Sequence, residues 1–282
     1  MSKIRTLKGT PKHLSKTGEL KEFTYLMLNL PFACNYRCIK CFNLENDNPS
    51  NEKNQQYLTL DERLTLIDQS ADLGGRVVVI AGEGEPSINK SIHDIISYAN
   101  RKGMVSIVYS NGSTVNEDFA KFYKENNTAL VFSLDSLIPT KYDMLTQTKG
   151  MFPNAMRNIQ SAVEMYGGPL LQQELEIYSI AINTTVSNMN EDEVEHIKEL
   201  FGERVYFICN PLAKLGNAST YWKMFGNDEV SVTRHQEMIQ RLSETGGPLT
   251  LGSDGLCGYS AWGISVSPSG EYMTCAYQTD LK

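Results

Sequence analysis

Six times between residues 25 and 209 a short apolar, β-branched stretch recurs, and five helix-like segments fill the spaces between. The stretches cover residues 25–30, 76–81, 104–110, 129–134, 175–184 and 204–209; the helical segments cover 60–73, 90–102, 116–125, 153–165 and 191–201. Few folds satisfy such an alternation. Each crossover returns the chain to the same edge direction, so the sheet is parallel, and six units predict an α/β fold built on a partial (β/α)6 TIM-like barrel, two units short of closure. Thr59 ahead of Asp61 and Glu62, and Asn190 ahead of Glu191, Asp192 and Glu193, read as helix starts.

After Ala218 the alternation gives way to a loop with Trp222, a helix over 232–245 and a glycine-rich tail. Within the tail, GISVSPSGEYMTC predicts a hairpin turning at Pro-Ser-Gly. Three units result: an N-terminal extension over 1–24, the barrel over 25–245 and a small module over 246–282.

The 282 residues suffice to bury a large core without disulfide staples. The basic, polar N-terminus lacks the apolar segment and cleavage site of a secretory signal, and no apolar run approaches a membrane span. These features predict a soluble, cytoplasmic protein without a membrane partner, in which clustered cysteines bind metal more readily than they pair as disulfides. A net charge of −7 gives no reason to expect nucleic acid as a partner.

Parallel α/β folds collect ligands at the carboxyl ends of their strands. Here those ends carry CNYRCIKC (34–41), GEGEP (82–86), SNG (110–112), the aspartate of SLDS (133–136), NTTVSNMN (183–190) and Cys209. Three of six cysteines sit within eight positions, with no second close pair to complete a structural zinc site. Spaced as Cys-x3-Cys-x2-Cys, they can instead wrap one corner of an iron-sulfur cube, each thiolate on one iron and the fourth iron left open.

Cys34, Cys38 and Cys41, directly after a first strand, resemble the signature of the radical S-adenosylmethionine (radical SAM) enzymes. The resemblance implies a 4Fe-4S cluster whose open iron chelates S-adenosylmethionine, reductive cleavage to a 5′-deoxyadenosyl radical, and hydrogen abstraction from a substrate carbon. It also implies flavodoxin or ferredoxin as the electron donor. GEGEPS resembles the family's GGEP element, which makes Glu83, Gly84 and Glu85 cofactor-binding residues, with Gly84 permitting backbone approach and Glu85 carrying the charge for the cofactor's amino group. Ser110 and Asn111, and Ser133 and Asp135, resemble strand-end groups lining the ribose and methionine moieties; each reads equally well as a turn or capping residue. Two positions depart from the family's pattern: Lys40 stands where an aromatic residue is usual, and Thr146 where an arginine is common.

Cys257 and Cys275, spaced around Gly270, resemble the opening of the SPASM or twitch module, which binds auxiliary iron-sulfur clusters. The further cysteines of that module are absent from the sequence. Three explanations stand: Cys209 joins as a third auxiliary ligand, the pair is a relic without a cluster, or the natural product is longer. The expected activity is oxidation or rearrangement of a small metabolite, since few residues precede the first strand and form no leader-recognition domain. The alternatives are a maturase acting on a ribosomally made peptide, and a non-catalytic zinc-binding scaffold.

Overall fold

The computed structural model describes residues 3–31, 33–42, 56–81, 84–244 and 260–273. Its main sheet holds seven parallel strands: β2 (Tyr25–Leu28), β3 (Val77–Ile80), β4 (Val105–Ser110), β5 (Thr128–Ser133), β8 (Ile180–Val186), β9 (Tyr206–Pro211) and β10 (Gly263–Val266). They run in the order β10-β2-β3-β4-β5-β8-β9, and β11 (Tyr272–Met273) adds antiparallel to β10. Helices α2 (Leu60–Asp72), α3 (Ile92–Arg101), α4 (Glu117–Glu125), α5 (Pro139–Thr146), α6 (Phe152–Tyr166) and α7 (Val194–Phe201) provide the crossovers. After β9 come the short α8 (Asn217–Thr220) and α9 (Trp222–Phe225), then α10 (Glu229–Leu242). The partial α/β barrel predicted from the alternation is therefore observed.

Side-chain parity divides the sheet into two faces. Leu26, Leu28, Val78, Ile80, Leu130, Phe132, Ile182 and Phe207 lie in the core shared with the helices. Tyr25, Met27, Val77, Val79, Ile107, Val131, Ala181 and Ile208 form a second cluster inside the barrel, and Leu7 and Leu14 complete it from outside the sheet. Those two leucines belong to residues 3–24, which form β1 (Ile4–Leu7) and α1 (Pro11–Thr17). Gly9 fits because its φ is +79° and a Cβ there would press on Val105 and Ile107; its carbonyl accepts from the Tyr25 hydroxyl at 2.8 Å. The N-terminal segment is thus a plug beneath the barrel. Leu7→Ala is expected to cost about 3 kcal/mol, because the plug cannot collapse onto the space left, and a lowered urea midpoint checks it.

Two readings change against the structure. The apolar stretch 175–184 is two strands: β7 (Leu175–Tyr178) pairs parallel with β1 and antiparallel with β6 (Leu170–Gln172), and only β8 enters the barrel. Only Ser179 separates the two strands and both are extended and apolar, so the sequence shows one stretch although the inward-facing phase shifts between Tyr178 and Ala181. Asn190 is not the cap of α7, which starts at Val194 after Glu193. Its carboxamide is buried and ties the loop down, accepting from the Ser187 amide at 2.9 Å and donating to the Asp135 and Thr185 carbonyls. Thr59 does cap α2, in a capping box with Glu62. The predicted hairpin forms as β10 and β11, and β10 joins the barrel sheet on β2. Among the described residues no helix is long and apolar enough to cross a membrane.

Candidate active site

The cysteine loop leaves β2 at the carboxyl end of the sheet and is strapped by three other segments. On one side Ala33 forms a bridge with Gly84, and the Glu85 amide donates to the Ala33 carbonyl at 2.7 Å. On a second, the amides of Arg37 and Ile39 donate to the Thr146 and Leu145 carbonyls at the end of α5. On a third, Asn217 donates from its amide to Cys41 O at 2.8 Å and from Nδ2 to Cys38 O at 3.1 Å. Ile39 anchors the loop in a small core with Leu145, Ala218 and Phe225. These straps hold Cys34, Cys38 and Cys41 half-buried and free of disulfides. Burial pushes the Cys34 thiol up to about 11 and pushes Cys38 up as well. A cationic metal centre reverses that preference by stabilising the thiolates it binds.

Gly84 and Glu85 follow β3, at the same end of the sheet as the cysteine loop. Gly84 has φ +147°, and a Cβ there would lie 2.3 Å from the Ala33 carbonyl oxygen, so the close approach it permits is to the cysteine loop's own backbone. Glu85 is 3% exposed. Its Oε1 accepts from the Ser87 amide at 3.1 Å, from the Ser87 hydroxyl, and from the Ser110 hydroxyl at 2.8 Å; Oε2 accepts from the Asn111 amide at 2.6 Å. Burial pushes this carboxyl above its ordinary range, and the donors around it oppose the shift. Glu85→Leu strands the Ser87 and Asn111 amides and is expected to cost about 2 kcal/mol, seen as a lower thermal midpoint.

Asn111 reaches the loop directly, its Nδ2 donating to Asn35 Oδ1 at 3.0 Å, while Asn35 donates to the Ser113 hydroxyl at 2.8 Å. Ser133 lies on the inner face, level with Asn183 on β8, and Asn210 Nδ2 donates to Asn183 Oδ1 at 2.6 Å. Asp135 follows β5 and is 7% exposed. Its Oδ1 accepts from the Thr185 amide at 2.8 Å, and its Oδ2 meets Lys40 Nζ at 2.5 Å. The strand ends therefore bring Cys34, Cys38, Cys41, Gly84, Glu85, Ser110, Asn111, Ser133 and Asp135 to one mouth.

Cys209 does not join them. Its neighbours Tyr206 and Ile208 alternate into the interior, so Cys209 faces the helices, fully buried in the core that includes Ile239 and Leu242, with its thiol pushed up to about 12 by burial. Glu83, Cys257 and Cys275 lie outside the described residues. Sequence reasoning missed Asn35, Ser87, Ser113, Asn190 and Asn217. Of these, Asn35, Ser87 and Asn190 stand inside motifs already singled out, and their polar side chains are the available signal.

The family model described as the Radical SAM superfamily matches residues 28–201, more than half of the chain. The chain belongs to the radical SAM superfamily. It is 27% identical over 243 residues to the Fe-coproporphyrin III synthase of Methanosarcina barkeri, covering 85% of this chain and 55% of that protein. It is 32% identical over 147 residues to the GTP 3′,8-cyclase of Vibrio parahaemolyticus, covering 51% of this chain and 43% of the relative. The chain spans about half the length of the curated relatives it matches. Its fold matches Streptococcus suis SuiB bound to S-adenosylmethionine with a TM-score of 0.65 at 13% identity, over 96% of this chain and 68% of that one. The structure of anSMEcpe with bound AdoMet gives 0.57 at 14%, over 90% and 75%.

Radical SAM proteins are enzymes of radical reactions and carry a 4Fe-4S cluster with S-adenosylmethionine. Membership sets aside the reading of a non-catalytic zinc scaffold. The residues present fit that pair of cofactors. The donors are three soft thiols on one strapped loop.

Proposed function

We propose that Cys34, Cys38 and Cys41 hold the 4Fe-4S cluster of a radical SAM enzyme that removes hydrogen from a carbon of a small metabolite and oxidises or rearranges it. When bound, the cluster and the sulfonium nucleoside supply a carbon radical strong enough for an unactivated C–H bond. The observation that carries the reading is the meeting of the strapped cysteine loop with the Glu85, Ser110 and Asn111 network at one barrel mouth.

In this reading Glu85, held by its amide and hydroxyl donors, presents Oε2 to the cofactor's amino group, while Ser110, Asn111 and Asp135 line its remaining polar edge. Ser133, Asn183 and Asn210 below them orient the substrate through neutral hydrogen bonds. The apolar layer of Val79, Ile107 and Val131 and the Leu7 plug keep water from entering beneath. Flavodoxin or ferredoxin supplies the electron. An auxiliary iron-sulfur cluster rests on Cys257 and Cys275, and Cys209 is left out because it faces the helices.

A second reading takes a ribosomally made peptide as substrate. It draws on the fold shared with SuiB, whose structure was solved with its precursor peptide SuiA. Anaerobic reconstitution followed by addition of reductant and S-adenosylmethionine is expected to yield brown protein and 5′-deoxyadenosine. Colourless protein, or no deoxyadenosine from brown protein, overturns the reading. Deuterium transfer into deoxyadenosine from a labelled small-molecule pool or from labelled peptides separates the two substrates. Cys257→Ala is expected to lower the iron count without removing deoxyadenosine formation.

A further inference from the structure

Lys40 lies between two of the three loop cysteines, and its side chain turns away from solvent into the mouth. Its Nζ stands 2.5 Å from Asp135 Oδ2 and 3.0 Å from the Thr185 hydroxyl, and the side chains of Lys40 and Asp135 are 17% and 9% exposed. The anion is held from its far side as well, through the Thr185 amide on Oδ1 and the Asn190 carboxamide on its backbone carbonyl. Asn190 is 1% exposed, so this clamp is inside the protein rather than on its rim. A pair so fixed has a defined place relative to the loop, which flexible surface pairs lack.

Reduction of a cluster adds one negative charge. A fixed cation close by stabilises the reduced form and a fixed anion destabilises it, and both effects are strengthened where water is scarce. We propose that Lys40 is a positioning residue that sets the reduction potential of the cluster. Its ammonium favours the reduced form, and Asp135 holds the ammonium in place and partly offsets it. The proposal rests on the reading that Cys34, Cys38 and Cys41 hold that cluster.

Opposite charges removed one at a time must move the potential in opposite directions, which a merely structural strut does not do. Lys40→Gln, Lys40→Arg, Asp135→Asn and the Lys40→Gln/Asp135→Asn pair are reconstituted anaerobically, their iron and sulfide counted, and their clusters titrated against a redox buffer by electron paramagnetic resonance. At a fixed potential, Lys40→Gln is expected to lower the ratio of reduced to oxidised cluster about tenfold, which is about 59 mV for one electron. Asp135→Asn is expected to raise that ratio, the double variant to lie between the two, and Lys40→Arg to stay within about threefold of the unaltered protein. Single variants that shift the same way, or not at all, with full iron content overturn the proposal. So does loss of the cluster in Lys40→Gln together with an altered potential in Lys40→Arg, because the role is then support of the loop. Unaltered protein that takes up no iron instead overturns the cluster reading itself, a separate outcome from these.

Discussion

Cys38→Ala is expected to abolish 5′-deoxyadenosine formation and lower the iron content of the reconstituted protein, leaving only the auxiliary cluster's share, while the barrel stays folded. In the proposed cluster the three thiolates act as one unit, so removing any of them removes nearly the whole effect rather than a third of it. Cys38 lies midway in the loop, where its carbonyl is held by Asn217 whatever its side chain. The main cores are built from the strands and helices and do not depend on it. Far-ultraviolet circular dichroism and the thermal midpoint should therefore stay near those of the unaltered protein while iron content falls. An active Cys38→Ala enzyme would contradict the ligand set.

Gly84→Ala is expected to act from the opposite direction, by moving backbone. The added Cβ would come within 2.3 Å of the Ala33 carbonyl oxygen and 2.8 Å of its nitrogen, and φ of +147° is strained for any residue with a side chain. Neither clash is with a flexible side-chain end. Relief requires the Ala33–Gly84 bridge to open, with loss of the hydrogen bond from the Glu85 amide to Ala33. The combined cost is about 4 kcal/mol. Cluster uptake should fall with stability, since Ala33 immediately precedes Cys34. Iron counting alongside a urea titration tests both parts, and a variant with wild-type stability would show that the two loops are not coupled.

Much of this fold is legible in the sequence because parallel barrels impose a rhythm that few other architectures share. The stretches at 76–81, 104–110 and 129–134 became strands within a residue or two. The split of 175–184 is hidden because only Ser179 separates two extended, apolar strands. The site divides along a similar line. Cys34, Cys38 and Cys41 are visible because their close spacing marks a metal loop, whereas Gly84 and Glu85 are visible only through the resemblance of GEGEPS to the family's GGEP element. Asn217 acts through partners far along the chain, so no local pattern marks it, and Asn35 and Asn190 lie inside the quoted motifs but meet Asn111 and Asp135 only in the folded chain. Lys40 stands out as a departure from the family, yet its partner Asp135 follows a different strand and only the folded chain brings them together. Cys209 was misplaced for a reason readable in retrospect: with Tyr206 and Ile208 turned inward, a residue one step beyond must turn outward.

The pairing of β10 with β2 has a consequence for biosynthesis. The strand that leads into the cysteine loop has β3 on one flank and, on the other, β10, whose residues are made long after its own. Until Gly263–Val266 leaves the ribosome, the outer edge of β2 exposes unsatisfied amides and carbonyls, a state prone to association with other chains. Loading of iron and sulfide before that point would meet a loop whose supporting strand is still single-sided, so maturation of the metal centre belongs after Gly263–Val266 has been made.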